Sequence, residues 1–195
     1  MIAKEDLFSK TRHLSDRDLV SRIRSGQEIC FDDLFERYRN KLFFYLRHLV
    51  GGKEEAEDLL QNVFVKAYQK FETFDARRTF SSWIYRIAHN EAVNYLKRKS
   101  RKTFFSWEDI VSVKDQLESS SKERTPEEEW IREEVRLEVT SALKKVPEKY
   151  REVLILRYYL DHSYEEIAEI ISKPTNTVGT LLSRAKNRLL RELNV

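Results

Sequence analysis

The sequence predicts an all-α protein built as two small helical domains joined by a flexible linker. Three observations predict it. Only 4 glycines and 3 prolines interrupt 195 residues, too few breakers for the many tight turns of an all-β chain. Apolar residues recur at three- and four-residue spacing through long stretches, the pattern of helices with one buried face. Between two such stretches, residues 101–125 lose their periodicity and run into Ser119-Ser120-Ser121. That places an N-terminal domain at 1–100, a linker at 101–125 and a C-terminal domain at 126–195.

Each element has a local reason. Ser15 caps a short helix that Gly26 closes. The next helix, about Gln27 to Val50, carries Phe31, Leu34, Phe35, Tyr38, Leu42, Leu46 and Leu49 at helical spacing, and Gly51-Gly52 stops it. A third, about Lys53 to Phe71, sets Ala56, Leu59, Leu60, Val63, Phe64, Ala67 and Tyr68 on one stripe. Residues Glu72 to Thr79 read as a loop. A fourth helix, about Phe80 to Ser100, turns Trp83, Ile84, Ile87, Ala88, Ala92, Tyr95 and Leu96 inward, which favours Trp83 as a core anchor over the alternative, a base-stacking platform. Past the linker, Thr125-Pro126 opens a helix whose first turn carries Glu127, Glu128 and Glu129 at its positive end. It ends before Pro147, and another helix runs from about Glu148 to Leu160. Ser163 with Glu166 forms a capping box for a short helix to Ile171. Lys173-Pro174-Thr175 breaks the chain before a last helix, about Asn176 to Leu193.

Several function classes are excluded. The four histidines, His13, His48, His89 and His162, are scattered, none in a Glu-x-x-His pair, and HExxH, CxxC and a glycine-rich phosphate loop are absent. No metal, no cofactor and no enzymatic activity are expected. The single cysteine, Cys30, cannot form an intrachain disulfide and reads as a small buried hydrophobe. The first residues carry charges throughout, and no apolar run approaches the roughly 18 residues that cross a bilayer. The expectation is a cytoplasmic protein without membrane insertion.

Charge is informative once divided along the chain. Ala76 to Lys102 holds eight bases against the lone acid Glu91, a local +7. Glu108 to Glu134 holds ten acids and four bases, −6, and Lys173 to Val195 holds five bases and one acid, +4. Two cationic blocks around an acidic one form the electrostatic footprint of a polyanion binder.

At the C-terminus, two helices around the turn Ser172 to Thr175 make a helix-turn-helix. Ile167, Ala168, Ile171, Val178, Leu182, Ala185 and Leu189 pack the pair. The first residues of a recognition helix reach base edges in the major groove, so Asn176, Thr177, Thr180, Ser183 and Arg184 are the candidate readers, and Arg188 and Arg191 suit phosphates. The competing reading is a solvated basic face on an ordinary helical hairpin. In the N-terminal domain, Arg86, Asn90, Asn94 and Lys97 share a polar face that leads into the cluster Lys97 to Lys102, including Arg98. The loop before it mixes Phe74, Arg77, Arg78 and Phe80, a combination suited to an unstacked base or a single strand. The alternative there is that Phe74 and Phe80 are core and both arginines merely solvated.

The strings AEDLLQNVFVKAYQKFETFD (Ala56 to Asp75), FSSWIYRIAHNEAVNYLKRK (Phe80 to Lys99) and SYEEIAEIISKPTNTV (Ser163 to Val178) stand in this order. Together they resemble the extracytoplasmic-function sigma factors, the promoter-specificity subunits of bacterial RNA polymerase. The resemblance implies core RNA polymerase (the β′ clamp helices and the β subunit), promoter DNA and an anti-sigma factor as partners. It implies that Asp58, Gln61, Asn62, Val65, Lys66 and Gln69 face the clamp helices. Phe74, Arg77, Asn90 and Asn94 would then hold a flipped base and the melted strand of the minus-ten element, and the C-terminal domain would read the minus-thirty-five duplex. Gly179 departs from the family, whose members commonly carry basic residues just after the Thr-Val pair. The rival is a helix-turn-helix repressor or activator that binds two half-sites as a dimer without polymerase.

Overall fold

The structure, a computed structural model, describes residues 13–99 and 138–193. Helix α1 spans Asp16–Arg24, α2 Cys30–Val50, α3 Lys53–Lys70 and α4 Phe80–Lys99. In the C-terminal unit a helical segment covers 138–145, followed by α5 (Glu148–Leu154), α6 (Tyr164–Ile170) and α7 (Thr175–Glu192). No strand occurs among the described residues. The linker 101–125 and the helix start at Thr125-Pro126 lie outside them.

The ends of these helices follow local chemistry. The Ser15 hydroxyl accepts from the Asp18 amide and the Asp18 carboxylate accepts from the Ser15 amide, a reciprocal cap that satisfies two otherwise orphaned donors. Gly26 (φ 93°) and Gly51 (φ 83°) turn the chain through the left-handed region after α1 and α2, where a side chain would be strained. Thr79 caps α4: its hydroxyl accepts from the Ser82 amide at 3.2 Å. The predicted helix from Glu148 does not stay regular. After Leu154 it widens into a π-helical turn, Ile155–Tyr159, and two residues on Asp161 sits in the left-handed region (φ 56°).

The N-terminal unit packs α2, α3 and α4 around Leu34, Leu42, Leu46, Val63, Ile84 and Ala88, all buried. An aromatic cluster closes one end. Phe31 meets Phe71 edge-on at 4.7 Å, Phe35 stacks on Phe64 at 4.5 Å, and Phe74 lies 5.0 Å from Trp83. Trp83 is buried, and so is Cys30, as the sequence predicts. Arg37 fastens α1 to α2 by donating to Asp16 (2.5 Å) and to the Leu14 carbonyl (2.8 Å).

The two units share one continuous core. Phe44 of α2 stacks on Tyr159 at 3.9 Å, and Tyr85 of α4 meets His162 edge-on at 4.9 Å. Arg151 of α5 is buried and donates to the Val146 carbonyl (3.0 Å) in its own unit and to the His48 carbonyl (3.1 Å) in the other.

Candidate nucleic-acid interface

Two cationic faces are built on this scaffold. The first begins at the turn before α4. Asp75 organises it: the Arg77 amide donates to Asp75 Oδ1 at 3.0 Å, and the Arg77 guanidinium grips the same carboxylate with Nε at 3.0 Å and Nη2 at 2.9 Å. Those bonds hold the Asp75 carboxyl down to about 2. The Arg78 amide donates to the Asp75 carbonyl at 2.9 Å. The turn is therefore shaped before any ligand arrives, and Arg77 and Arg78 are both exposed. Along α4, Asn90, Asn94, Lys97 and Arg98 are exposed on one side and Arg86 is half-buried. The Arg98 Nε donates to the Asn94 carbonyl at 3.2 Å, which leaves the Asn94 amide side chain uncommitted to that bond. Two asparagine amides with donors and acceptors, flanked by cations, can bond base edges and phosphates together.

Phe74 is a correction. Its ring is 3% exposed, wedged among Phe71, Phe80 and Trp83, with Arg24 donating to its carbonyl. A phenylalanine flanked by three aromatic partners is worth more in the core than in water, so the ring is not presented to a flipped base in this structure. The alternative that Phe74 and Phe80 are core residues is the one observed.

The second face is the helix-turn-helix. Ser163 and Glu166 form the predicted box, with the Glu166 amide donating to Ser163 Oγ at 3.1 Å and the Ser163 amide to Glu166 Oε2 at 2.9 Å. Helix α6 ends at Ile170; beyond its cap Ser172 is held in the left-handed region (φ 52°), and the Lys173 amide returns to the Ala168 carbonyl at 3.0 Å. That closure needs no glycine here, though serine is strained at such a φ. Ile167, Ile170, Val178, Leu182 and Ala185 are buried between α6 and α7. The side of α7 away from this core carries Asn176, Thr180, Ser183, Arg184 and Arg188, all exposed, with Thr177 half-buried. Thr180 Oγ1 donates to the Asn176 carbonyl at 3.1 Å, so its lone pairs face outward as acceptors. Arg188 lies over the Tyr150 ring at 5.0 Å, and Lys149 crowds the same ring at 5.0 Å. That gathers cations at the α5–α7 junction.

A third face belongs to α3. Asp58, Gln61, Asn62, Val65 and Gln69 are exposed together. Lys66 is only half exposed because its ammonium sits 2.5 Å from Glu91 Oε1, tying α3 to α4 and compensating a buried carboxylate. Tyr68 is a second correction: helical spacing sets it on the apolar stripe with Val63 and Ala67, yet it is 53% exposed beside Val65 at 54%. Two large apolar side chains within a polar helix face make a surface suited to a protein partner. Helical spacing alone gives no signal for this, since Tyr68 also touches Phe31 at the edge of the core.

Among the described residues there is no cluster of His, Cys, Asp and Glu able to hold a metal and no helix long and apolar enough to cross a membrane.

Comparison with known proteins identifies the family. Residues 34–102 match the Sigma-70 region 2 family, and residues 136–189 match Sigma-70, region 4. The RNA polymerase sigma-H factor of Pseudomonas aeruginosa is 32% identical over 91% of this chain and 93% of its own. The ECF RNA polymerase sigma-E factor of Escherichia coli K12 is 32% identical over 92% and 94%. SigW of Bacillus subtilis is 29% identical over 89% and 94%. Among solved structures, CnrH in complex with the cytosolic domain of CnrY superposes with TM-score 0.64, at 23% identity over 92% of this chain and 97% of that one. RpoE of Bartonella quintana, solved with the anti-sigma factor NepR, gives TM-score 0.62 at 24% identity over 85% and 97%. With both cationic units matched in order and nearly the whole length aligned, the chain belongs to the ECF sigma factors of RNA polymerase.

Proposed function

We propose that this sigma factor divides promoter recognition between its two cationic faces and holds polymerase with the third. The polymerase-facing surface is Asp58, Gln61, Asn62, Val65 and Gln69 on α3, with Tyr68 added and Lys66 reduced to a structural tie. The turn Arg77-Arg78 and the α4 face Arg86, Asn90, Asn94, Lys97 and Arg98 hold the opened minus-ten strand. Helix α7 reads the minus-thirty-five duplex through Asn176, Thr177, Thr180, Ser183 and Arg184, with Arg188 on phosphate. The domains follow the boundaries 1–100 and 126–195, with 101–125 as the connection between them. The protein has no catalytic chemistry of its own and works where its polymerase works, in the cytoplasm. An anti-sigma protein is its expected regulator.

The observation that carries this reading is the exposure of both polar faces on helices whose opposite sides form the core. Binding energy gained only with the melted strand draws the promoter toward the open state, so no nucleotide hydrolysis is required. Each face alone makes a modest contact. Held on one polymerase they act at high effective concentration. Run-off transcription with purified core polymerase on a genomic fragment pool tests the reading. Discrete promoter-dependent transcripts are expected. A protein that shifts duplex DNA unaided but does not associate with core enzyme would instead be the free repressor or activator.

A further inference from the structure

The α5–α7 junction gathers more positive charge than it neutralises. Tyr150 of α5 is 6% exposed, its ring covered by Lys149 from its own helix and Arg188 from α7, each 5.0 Å from the ring centroid. The Arg184 guanidinium, one turn before Arg188, reaches the hydroxyl of the same tyrosine. Burial pushes that hydroxyl up, yet Lys149, Arg184 and Arg188 together hold its pKa below the ordinary tyrosine value. The phenol thus senses a net positive field. Nearby carboxylates are engaged elsewhere: Glu192 lies 3.9 Å from Lys145, and Glu152 and Glu148 of α5 face His89 of α4. Among the described residues none of the three cations has a carboxylate partner. Cations crowded on one ring without a counter-charge repel one another, so the cluster favours an anion between them. The geometry of α7 says which anion. Thr180, Arg184 and Arg188 follow at four-residue spacing, a line that leaves the reader face and runs toward α5. At 1.5 Å per residue, Arg184 stands about 12 Å along the axis from Asn176, more than the roughly 8.5 Å depth of the major groove. A helix that sets Asn176 on base edges therefore brings Arg184 and Arg188 out at the groove wall, where the backbone runs.

We propose that Lys149, Tyr150, Arg184 and Arg188 form a clamp for the DNA sugar–phosphate backbone, built jointly by α5 and α7. Tyr150 is its positioning residue: the hydroxyl turns Arg184 from the base edges, and the ring seats Arg188. Lys149 lies outside the helix-turn-helix, so the clamp fixes the tilt of α7 in the groove from a second helix. This takes Arg184 out of the set of base readers, and it rests on the reading that α7 meets the minus-thirty-five duplex.

The clamp is tested on the full chain by anisotropy of two fluorescein-labelled duplexes of equal length, one A·T-rich and one G·C-rich, over a salt series. Lys149→Gln and Arg188→Gln should each flatten the slope of log affinity against log salt by about 0.9 on both duplexes. Arg39→Gln, the same charge change at an exposed position of α2, should not. Arg184→Gln should weaken both duplexes alike. A loss confined to the G·C-rich duplex would make Arg184 a guanine reader and overturn its place in the clamp. Tyr150→Phe keeps the ring and the charge. It should lower affinity about threefold with the thermal melt in place, and add no further loss to Arg184→Gln. An additive loss, or none at all, overturns the positioning role. Asn176→Ala with Ser183→Ala separates the two readings. If it leaves binding unchanged, α7 does not face the duplex and the clamp falls with that reading. If it weakens binding while Lys149→Gln and Arg188→Gln keep the full slope, the clamp alone fails. Weaker association of those two variants with core polymerase would then assign the site to an acidic protein surface.

Discussion

Gly179 offers a direct probe of which side of α7 meets DNA. It lies in the second turn of α7, at a position of no positive φ, and a Cβ built there meets only Tyr164 Cε2, at 3.8 Å. That is ordinary van der Waals contact, so a side chain fits without moving the backbone. Alanine removes the entropic cost of a glycine inside a helix, about 1 kcal/mol. A gain of that size raises the melting temperature by about 2–8 °C, depending on how much of the chain melts together. Lysine at the same place adds a cation one turn from Asn176 and Ser183, both exposed on this face. If the face lies in the major groove, that cation gains one phosphate and steepens the slope of log affinity against log salt by about 0.9. The assay is anisotropy of a mixed-sequence duplex over a salt series, with a thermal melt of each variant. Gly179→Ala should move the melt and leave the slope alone, and Gly179→Lys should move the slope. An unchanged slope for lysine, with the fold intact, would place the DNA-facing side of α7 elsewhere.

Other expectations follow from single observations. Burial holds His48 down to about 4 from 6.5, so the unfolded chain takes up the extra proton first. Its neutral form contributes stability that is full above pH about 6.5 and is lost as pH falls toward 4, by up to about 3 kcal/mol; denaturant midpoints across that window should fall in the native protein and flatten in His48→Gln. Asn90→Ala with Asn94→Ala should impair open-complex formation, read by permanganate footprinting, more than upstream duplex binding; equal loss of both would contradict the division between the faces. Val65→Glu with Tyr68→Glu should weaken association with core polymerase at least tenfold in a pull-down titration, while the melt shifts little because both side chains are already exposed. Leu182→Ala, at 1% exposure, should cost about 2–5 kcal/mol and abolish duplex binding with oligothymidylate binding retained.

Much of this molecule is written in local chemistry. The reciprocal cap at Ser163 and Glu166, the stop at Gly51-Gly52 and the break at Pro174 act within a turn of chain, so reading the residues in order places the helix ends to within a few positions. The polar faces of α4 and α7 are equally legible, because a period of 3.6 residues separates Asn90 and Asn94 from Ala88 and Ala92 without knowledge of any partner. The π-helical turn at Ile155–Tyr159 was not legible, since its apolar pattern fits a regular helix as well. Tertiary packing alone decided the fate of Phe74, Tyr68 and Lys66. An aromatic beside arginines can face a base or a core, and the choice rests on Phe80 and Trp83 filling the space around it. Lys66 finds Glu91 across 25 residues, and Tyr45 finds Glu152 across 107. Periodicity carries no record of such distant pairs, because it describes which side of a helix is wet and never what lies against it.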